Sequence, residues 1–125
     1  MHSVLAIALG GALGAVGRHY MNIFVSMNAK MAFPVGTLGV NVLGSFLMGV
    51  LIAVFAQYWQ PPQEVKLFLV TGFLGGFTTF STFSLDVMTL YSRGATLEAA
   101  AYIGASVLIS IAAIFAGHSL AGRMF

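Results

Sequence analysis

Thr71-Gly72-Phe73-Leu74-Gly75-Gly76-Phe77-Thr78-Thr79-Phe80-Ser81-Thr82-Phe83-Ser84 is the stretch on which the reading of this chain turns. An apolar run precedes it and Leu85-Asp86-Val87-Met88 follows. It sits in mid-span, yet adjacent glycines followed by two threonines are poor helix material. A break near Gly75-Gly76 would free carbonyls and amides at membrane depth. Such backbone is tolerated only inside protein or beside water. Freed carbonyls are hard oxygen ligands suited to a cation, and freed amides at the start of a second half-helix suit an anion. Broken helices with both properties occur in ion-handling membrane proteins. The Gly-Phe-Leu-Gly-Gly string is no phosphate loop, because the Gly-Lys-Ser/Thr ending is missing.

Beyond the break, helical spacing puts Phe80 and Phe83 on one face, with Ser84 near Phe80. Thr79, Thr82 and Asp86 fall on an adjoining face. Aromatics three residues apart are usually core. A lipid-packed core has no use for the interleaved hydroxyls, so a pore-lining reading stands beside the packing one.

Working outward, the 125 residues are 59% hydrophobic and only 6% charged, with a mean hydropathy of +0.98. A soluble domain carries about 25% charged residues. This chain could not cover a water-facing surface, and a disordered chain would be polar. A spanning helix needs about 20 apolar residues, so the length allows about four spans with short loops. Continuous apolar runs argue against a membrane β-barrel, whose strands alternate. The fold class expected is an all-α integral membrane protein. It is a single domain over residues 1–125, with spans at 4–27, 37–58, 65–90 and 97–120. Asn28-Ala29-Lys30, Trp59-Gln60-Pro61-Pro62-Gln63-Glu64 and Tyr91-Ser92-Arg93-Gly94 form the loops. The N-terminal segment has no Lys or Arg before its apolar run, so it is expected to be a retained helix rather than a secretory signal.

Lys66 and Arg123 fall on the N-terminal side, Lys30 and Arg93 on the opposite side. Orientation normally follows a Lys/Arg excess in cytoplasmic loops. Two against two gives no instruction, which suits insertion in both orientations. The five basic residues are scattered, so no patch for nucleic acid forms. Cysteine is absent, which excludes disulfides and thiolate metal sites.

Other spans carry polar groups too. Gly10, Gly14 and Arg18 share one face of the first segment, where small residues admit a neighbouring backbone. Arg18 must snorkel or meet a partner or water. Asn41, among Gly36, Gly39, Gly44, Ser45 and Gly49, either bonds a neighbouring helix or lines a polar path. Asp86 is the single carboxylate expected inside the third span, near an end, in a vestibule or snorkelling to water. Tyr102, Ser106 and Ser110 form a stripe on the fourth segment. His2, His19 and His118 lie apart and make no dyad or metal cluster, so catalysis finds little support. The inventory is hydroxyls, one amide, one Arg and phenyl rings, which are positive at their edges. It suits a small, hard, hydrogen-bond-accepting anion.

Gly10-Gly11-Ala12-Leu13-Gly14-Ala15 with Arg18, Gly36-Thr37-Leu38 with Asn41, and Gly72 to Ser84 resemble the Fluc (CrcB) fluoride channels over nearly the whole chain. That resemblance implies a channel passing cytoplasmic fluoride out by passive electrodiffusion. It implies an antiparallel dual-topology homodimer in the inner membrane of a prokaryote, with two pores and no enzymatic activity. It implies a central Na⁺ held by the carbonyls of Gly75 and Thr78 from both subunits. Fluoride would meet Asn41, Phe80, Phe83, Ser81, Thr82, Tyr102 and Ser106. Arg18 matches the first-helix arginine, and Asp86 stands where a Glu is expected, with a shorter reach. Two rivals are a four-span drug/proton exporter and a non-transporting assembly subunit. The first needs a carboxylate deep in its first segment, and the second has no use for the polar run Thr78 to Ser84.

Overall fold

The structure, a computed structural model, describes residues 2–28 and 33–124. Every regular element among them is helical: α1 (His2–Asn28), α2 (Val35–Gln57), α3 (Gln63–Lys66), a π-helix (Leu67–Leu74), α4 (Gly75–Phe77), α5 (Phe80–Ser92) and α6 (Thr96–Met124). Grouped by continuity, four stretches are long and apolar enough to cross a membrane: His2–Met27, Val35–Gln57, Gln63–Ser92 and Thr96–Met124. α1, the third span and α6 run past the limits read from sequence at both ends, because helical backbone hydrogen bonding continues into their polar terminal residues, while α2 starts two residues early and ends one short. Most of the first expected loop, including Lys30, lies outside the described residues.

The two described loops have simple causes. Pro62 is extended, with φ −55° and ψ 156°, and its carbonyl accepts the Val65 and Lys66 amides at 3.0 and 3.2 Å to start α3. After α5 the chain turns at Gly94, φ +81°, a conformation that favours glycine. The Gly94 amide donates to Tyr91 O and the Ala95 amide to Leu90 O, at 3.0 and 2.9 Å. That pair of bonds is a Schellman motif, and α6 begins within two residues of it.

α2 packs chiefly against α6, and α1 against the third span. Both contacts are backbone on backbone. A Cβ added at Gly10 would run into the carbonyl of Phe68, and one at Gly14 into the carbonyl of Phe73. From the other side, a Cβ on Gly76 would lie 2.6 Å from Gly11 O. Between α2 and α6, Gly49 faces the carbonyl of Ile114 and Gly117 that of Phe46. Lipid is as apolar as leucine, so helix association in a membrane rests on such close packing. Side chains turned outward are correspondingly large and apolar, as with Leu9, Leu13, Leu108 and Phe115.

The third span departs from a plain helix twice. Leu67–Leu74 is π-helical, which the sequence pattern did not indicate. The second departure is at Thr78, φ −83° and ψ 157°, and Thr79, φ −152° and ψ 122°. Gly75 and Gly76, where the sequence reading put the break, are themselves helical. The reason lies in the threonines. The amide and hydroxyl of Thr78 both donate to Leu74 O, at 3.0 and 2.9 Å, and close the last turn. Thr79 Oγ1 accepts the Thr82 amide at 3.1 Å and opens α5. An N-cap residue adopts extended dihedrals to do this, so the cap itself takes the chain out of the helix.

Candidate functional site

Asn41 on α2 reaches the interruption. Its Oδ1 accepts the Thr79 amide at 2.8 Å, and its Nδ2 donates to the Thr79 carbonyl at 3.1 Å. The two bonds reproduce the pattern of one strand pairing with another, which is how an extended residue is satisfied among helices. Gly44, one turn further on, makes room: a Cβ there would meet Thr78 Cγ2.

The clamp has a consequence for the carbonyls. In an α-helix the amide of residue i bonds the carbonyl of i−4. Thr79 would serve Gly75, and Thr82 would serve Thr78. Thr79 gives its amide to Asn41 instead, and Thr82 gives its amide to Thr79 Oγ1. No backbone amide among the described residues bonds the carbonyl of Gly75 or of Thr78 across the interruption.

An open groove of about 520 Å³ runs over this point. Asn41, Gly75, Thr78, Phe80, Phe83 and Ser106 all line it. No charged side chain lines it; Val107, Ile111 and Ile114 of α6, with Met48 and Leu74, add to its apolar lining. Among the described residues the buried Ser110 hydroxyl has no hydrogen-bond partner, the Ser106 hydroxyl faces the phenol of Tyr102, and both residues line this groove. A buried polar group left unpaired costs about 1–3 kcal/mol, so the groove holds unmet demand for an acceptor or donor.

The aromatic pair divides. Phe83 is 9% exposed and Phe80 is 77% exposed, although their ring centroids are only 5.4 Å apart and tilted by 45°. Phe83 packs in turn on Tyr102 at 5.2 Å, and Phe33 meets the Tyr102 ring edge-on at 5.4 Å. Tyr102 is fully buried, and its hydroxyl donates to Asp86 Oδ2 at 2.9 Å. Asp86 therefore does not merely snorkel: it is bound to the stripe on α6. Ser81 Oγ lies 3.3 Å from Thr79 Oγ1, and the Ser84 hydroxyl donates to Phe80 O at 3.0 Å. Ser81 is exposed and Thr82 half-buried; neither lines the groove. Arg18 is half-buried on α1 and also lies away from the groove.

The sequence reading placed Thr79 on the face beside Phe80 and Phe83 but gave it no role of its own. Its signal was available, a threonine three residues ahead of a helix's first free amides, but the glycines beside it gave the stronger cue. Among the described residues no group of three His, Asp or Glu gathers as a metal site. Any cation here would have to be held by uncharged oxygens.

Known proteins are similar along the whole chain. Residues 5–118 match the family described as CrcB-like protein, Camphor Resistance (CrcB). A protein of Rhodospirillum centenum named fluoride-specific ion channel FluC is 51% identical over 120 residues, covering 96% of this chain and 95% of its own. A protein of the same name from Agrobacterium fabrum is 48% identical over 125 residues and covers both chains in full. One from Cereibacter sphaeroides is 55% identical over 115 residues, 92% of this chain and 90% of its own.

Proposed function

The chain belongs to the CrcB-like protein family, and on that footing we propose that it is a fluoride-specific ion channel rather than an enzyme. The observation that carries this is near-full-length similarity, at about half identity, to proteins bearing that name. It is a multi-pass membrane protein with bacterial relatives, which fits a place in the inner membrane of a prokaryote.

The groove chemistry supports the reading. Fluoride is small and strongly hydrated, so leaving water requires several hydrogen-bond donors at once. Asn41 keeps one amide hydrogen free after its bond to Thr79, since its NH₂ has two donors. Ser110 brings an unspent hydroxyl, Ser106 one that it shares with Tyr102, and the rings of Phe80 and Phe83 bring positive edges. No carboxylate lines the groove to repel an anion. Passive electrodiffusion is the mode assigned, because the groove has no titratable group to couple transport to protons.

The functional unit in this reading is an antiparallel homodimer with two pores. An open groove flanked by apolar α6 surface is suited to cover by a second copy, and the balanced loop charges permit either orientation. A sodium ion would sit between the copies. Its donors would be the carbonyls of Gly75 and Thr78, which fit because they are hard oxygens without helical partners. It would supply positive charge beside a path for a dehydrated anion. Arg18 and Asp86 are assigned to the path's approaches or to architecture. A drug/proton exporter is the weaker reading, since α1 carries no carboxylate at all.

Purified protein in liposomes should release trapped fluoride rapidly and retain chloride. Equal release of both anions, or of neither, would overturn the proposal.

A further inference from the structure

Thr79 is where both released carbonyls originate. Its amide, the helical donor for Gly75 O, is held by Asn41 Oδ1 at 2.8 Å. Its hydroxyl takes the Thr82 amide, the helical donor for Thr78 O, at 3.1 Å. One residue thus diverts two donors, one with its backbone and one with its side chain. Asn41 holds the far side of the same residue through Thr79 O, and Gly44 leaves the space in which the turn sits. Thr79 is itself buried, so water cannot stand in for these partners.

We propose that Thr79 is the positioning residue of the cation site, keeping the Gly75 and Thr78 carbonyls open by capping α5 with its hydroxyl. This rests on the channel reading above, in which those carbonyls hold sodium. Without the hydroxyl the Thr82 amide loses its acceptor, and the one that a regular helix would give it is the carbonyl of Thr78, reached when α5 extends backward by one bond. Sodium would then compete with an amide for one of its donors.

The test is the sodium dependence of thermal unfolding of the purified dimer. Sodium chloride is titrated against N-methylglucamine chloride at constant ionic strength, and wild-type fluoride efflux is measured on the same preparation. Sodium should raise the wild-type melting temperature. Thr79→Ser keeps the oxygen and should keep the sodium midpoint. Thr79→Val keeps the shape and loses the acceptor. Its midpoint should rise about tenfold, the scale of one lost cap. A merely structural role would lower the melting temperature in both salts and leave the midpoint where it is, and that result overturns the inference. If Thr79→Val does not give a dimer, Thr79→Ala is titrated in its place. If neither does while Thr79→Ser does, the hydroxyl serves folding as such and the inference is again overturned. A wild type that passes no fluoride would sink the channel reading instead. A wild type that passes fluoride but shows no sodium response would sink the cation site.

Discussion

Tyr102 and Asp86, sixteen residues apart, are joined by a 2.9 Å hydrogen bond from the phenol to Oδ2, with the Tyr102 ring fully buried. The bond ties α5 to α6 where the two helices share Phe83. It also gives the only carboxylate of the third span's second half a fixed partner, so Asp86 points along the protein rather than out of it.

Tyr102→Phe keeps the ring between Phe33 and Phe83 and removes the donor. Leaving a part-buried carboxylate without its partner should cost about 1–3 kcal/mol, read as a lower melting temperature. Fluoride efflux should fall with it. Asp86→Asn retains an acceptor oxygen and should unfold closer to wild type than Tyr102→Phe. Wild-type stability of Tyr102→Phe would mean that the bond contributes nothing.

Phe80→Ile and Phe83→Ile test the ring edges. Volume-conserving apolar swaps cost less than about 1.5 kcal/mol, and only Phe83 is buried in the subunit. Phe80→Ile should leave stability near wild type and still reduce fluoride efflux sharply. Phe83→Ile should lose efflux with a modest drop in stability. Phe115, exposed on α6 and outside the groove, is the control, and Phe115→Ile should conduct normally. Wild-type conduction by both groove variants would reduce these rings to packing.

Asn41→Asp should impair efflux with the fold retained. The Thr79 amide would still find an acceptor. The group now facing the Thr79 carbonyl would be an oxygen in place of the NH₂, and the hydrogen left for an anion would be gone. Efflux equal to wild type at neutral pH would remove Asn41 from the path.

Close helix packing predicts an asymmetry among glycines. Gly14→Ala and Gly76→Ala force a methyl against a neighbouring carbonyl, and overpacking costs about 1–3 kcal/mol. Gly104, with nothing within 4 Å of an added Cβ, is the control. Gly104→Ala should be neutral or stabilising by roughly 0.5–1 kcal/mol, the helix preference of alanine over glycine. Equal melting temperatures for all three would contradict the backbone contacts.

Topology can be biased by charge. Two lysines added to the loop between Tyr58 and Gln63 should break the even Lys/Arg count, favour one orientation and reduce efflux when that variant is expressed alone. Unmodified, active protein found in a single orientation would end the antiparallel reading.

Much of this protein was legible without coordinates, and for a physical reason. Membrane insertion depends on summed local hydropathy, so the absence of charge over Val35–Gln57, or its confinement to Glu98 and Arg123 near the ends of Thr96–Met124, is sufficient to define a span. Glycine spacing predicted close approach because the missing side chain is itself the contact, as Gly10 and Gly14 against the third span demonstrate. Of the residues the resemblance pointed to, Asn41, Phe80, Phe83 and Ser106 line one groove, whereas Ser81, Thr82 and Tyr102 do not. Two features needed the tertiary structure. The chain leaves the helix at Thr78-Thr79 rather than at Gly75-Gly76, because glycine only lowers helix propensity while capping hydroxyls supply competing bonds. The choice between them is settled by Asn41, thirty-eight residues away, and no local pattern encodes a partner at that distance. Asp86 likewise looked free in sequence, since its partner comes from another helix. Span, spacing and composition are sums over neighbours along the chain. The geometry of the groove is a set of pairings between helices, and it exists only once they pack.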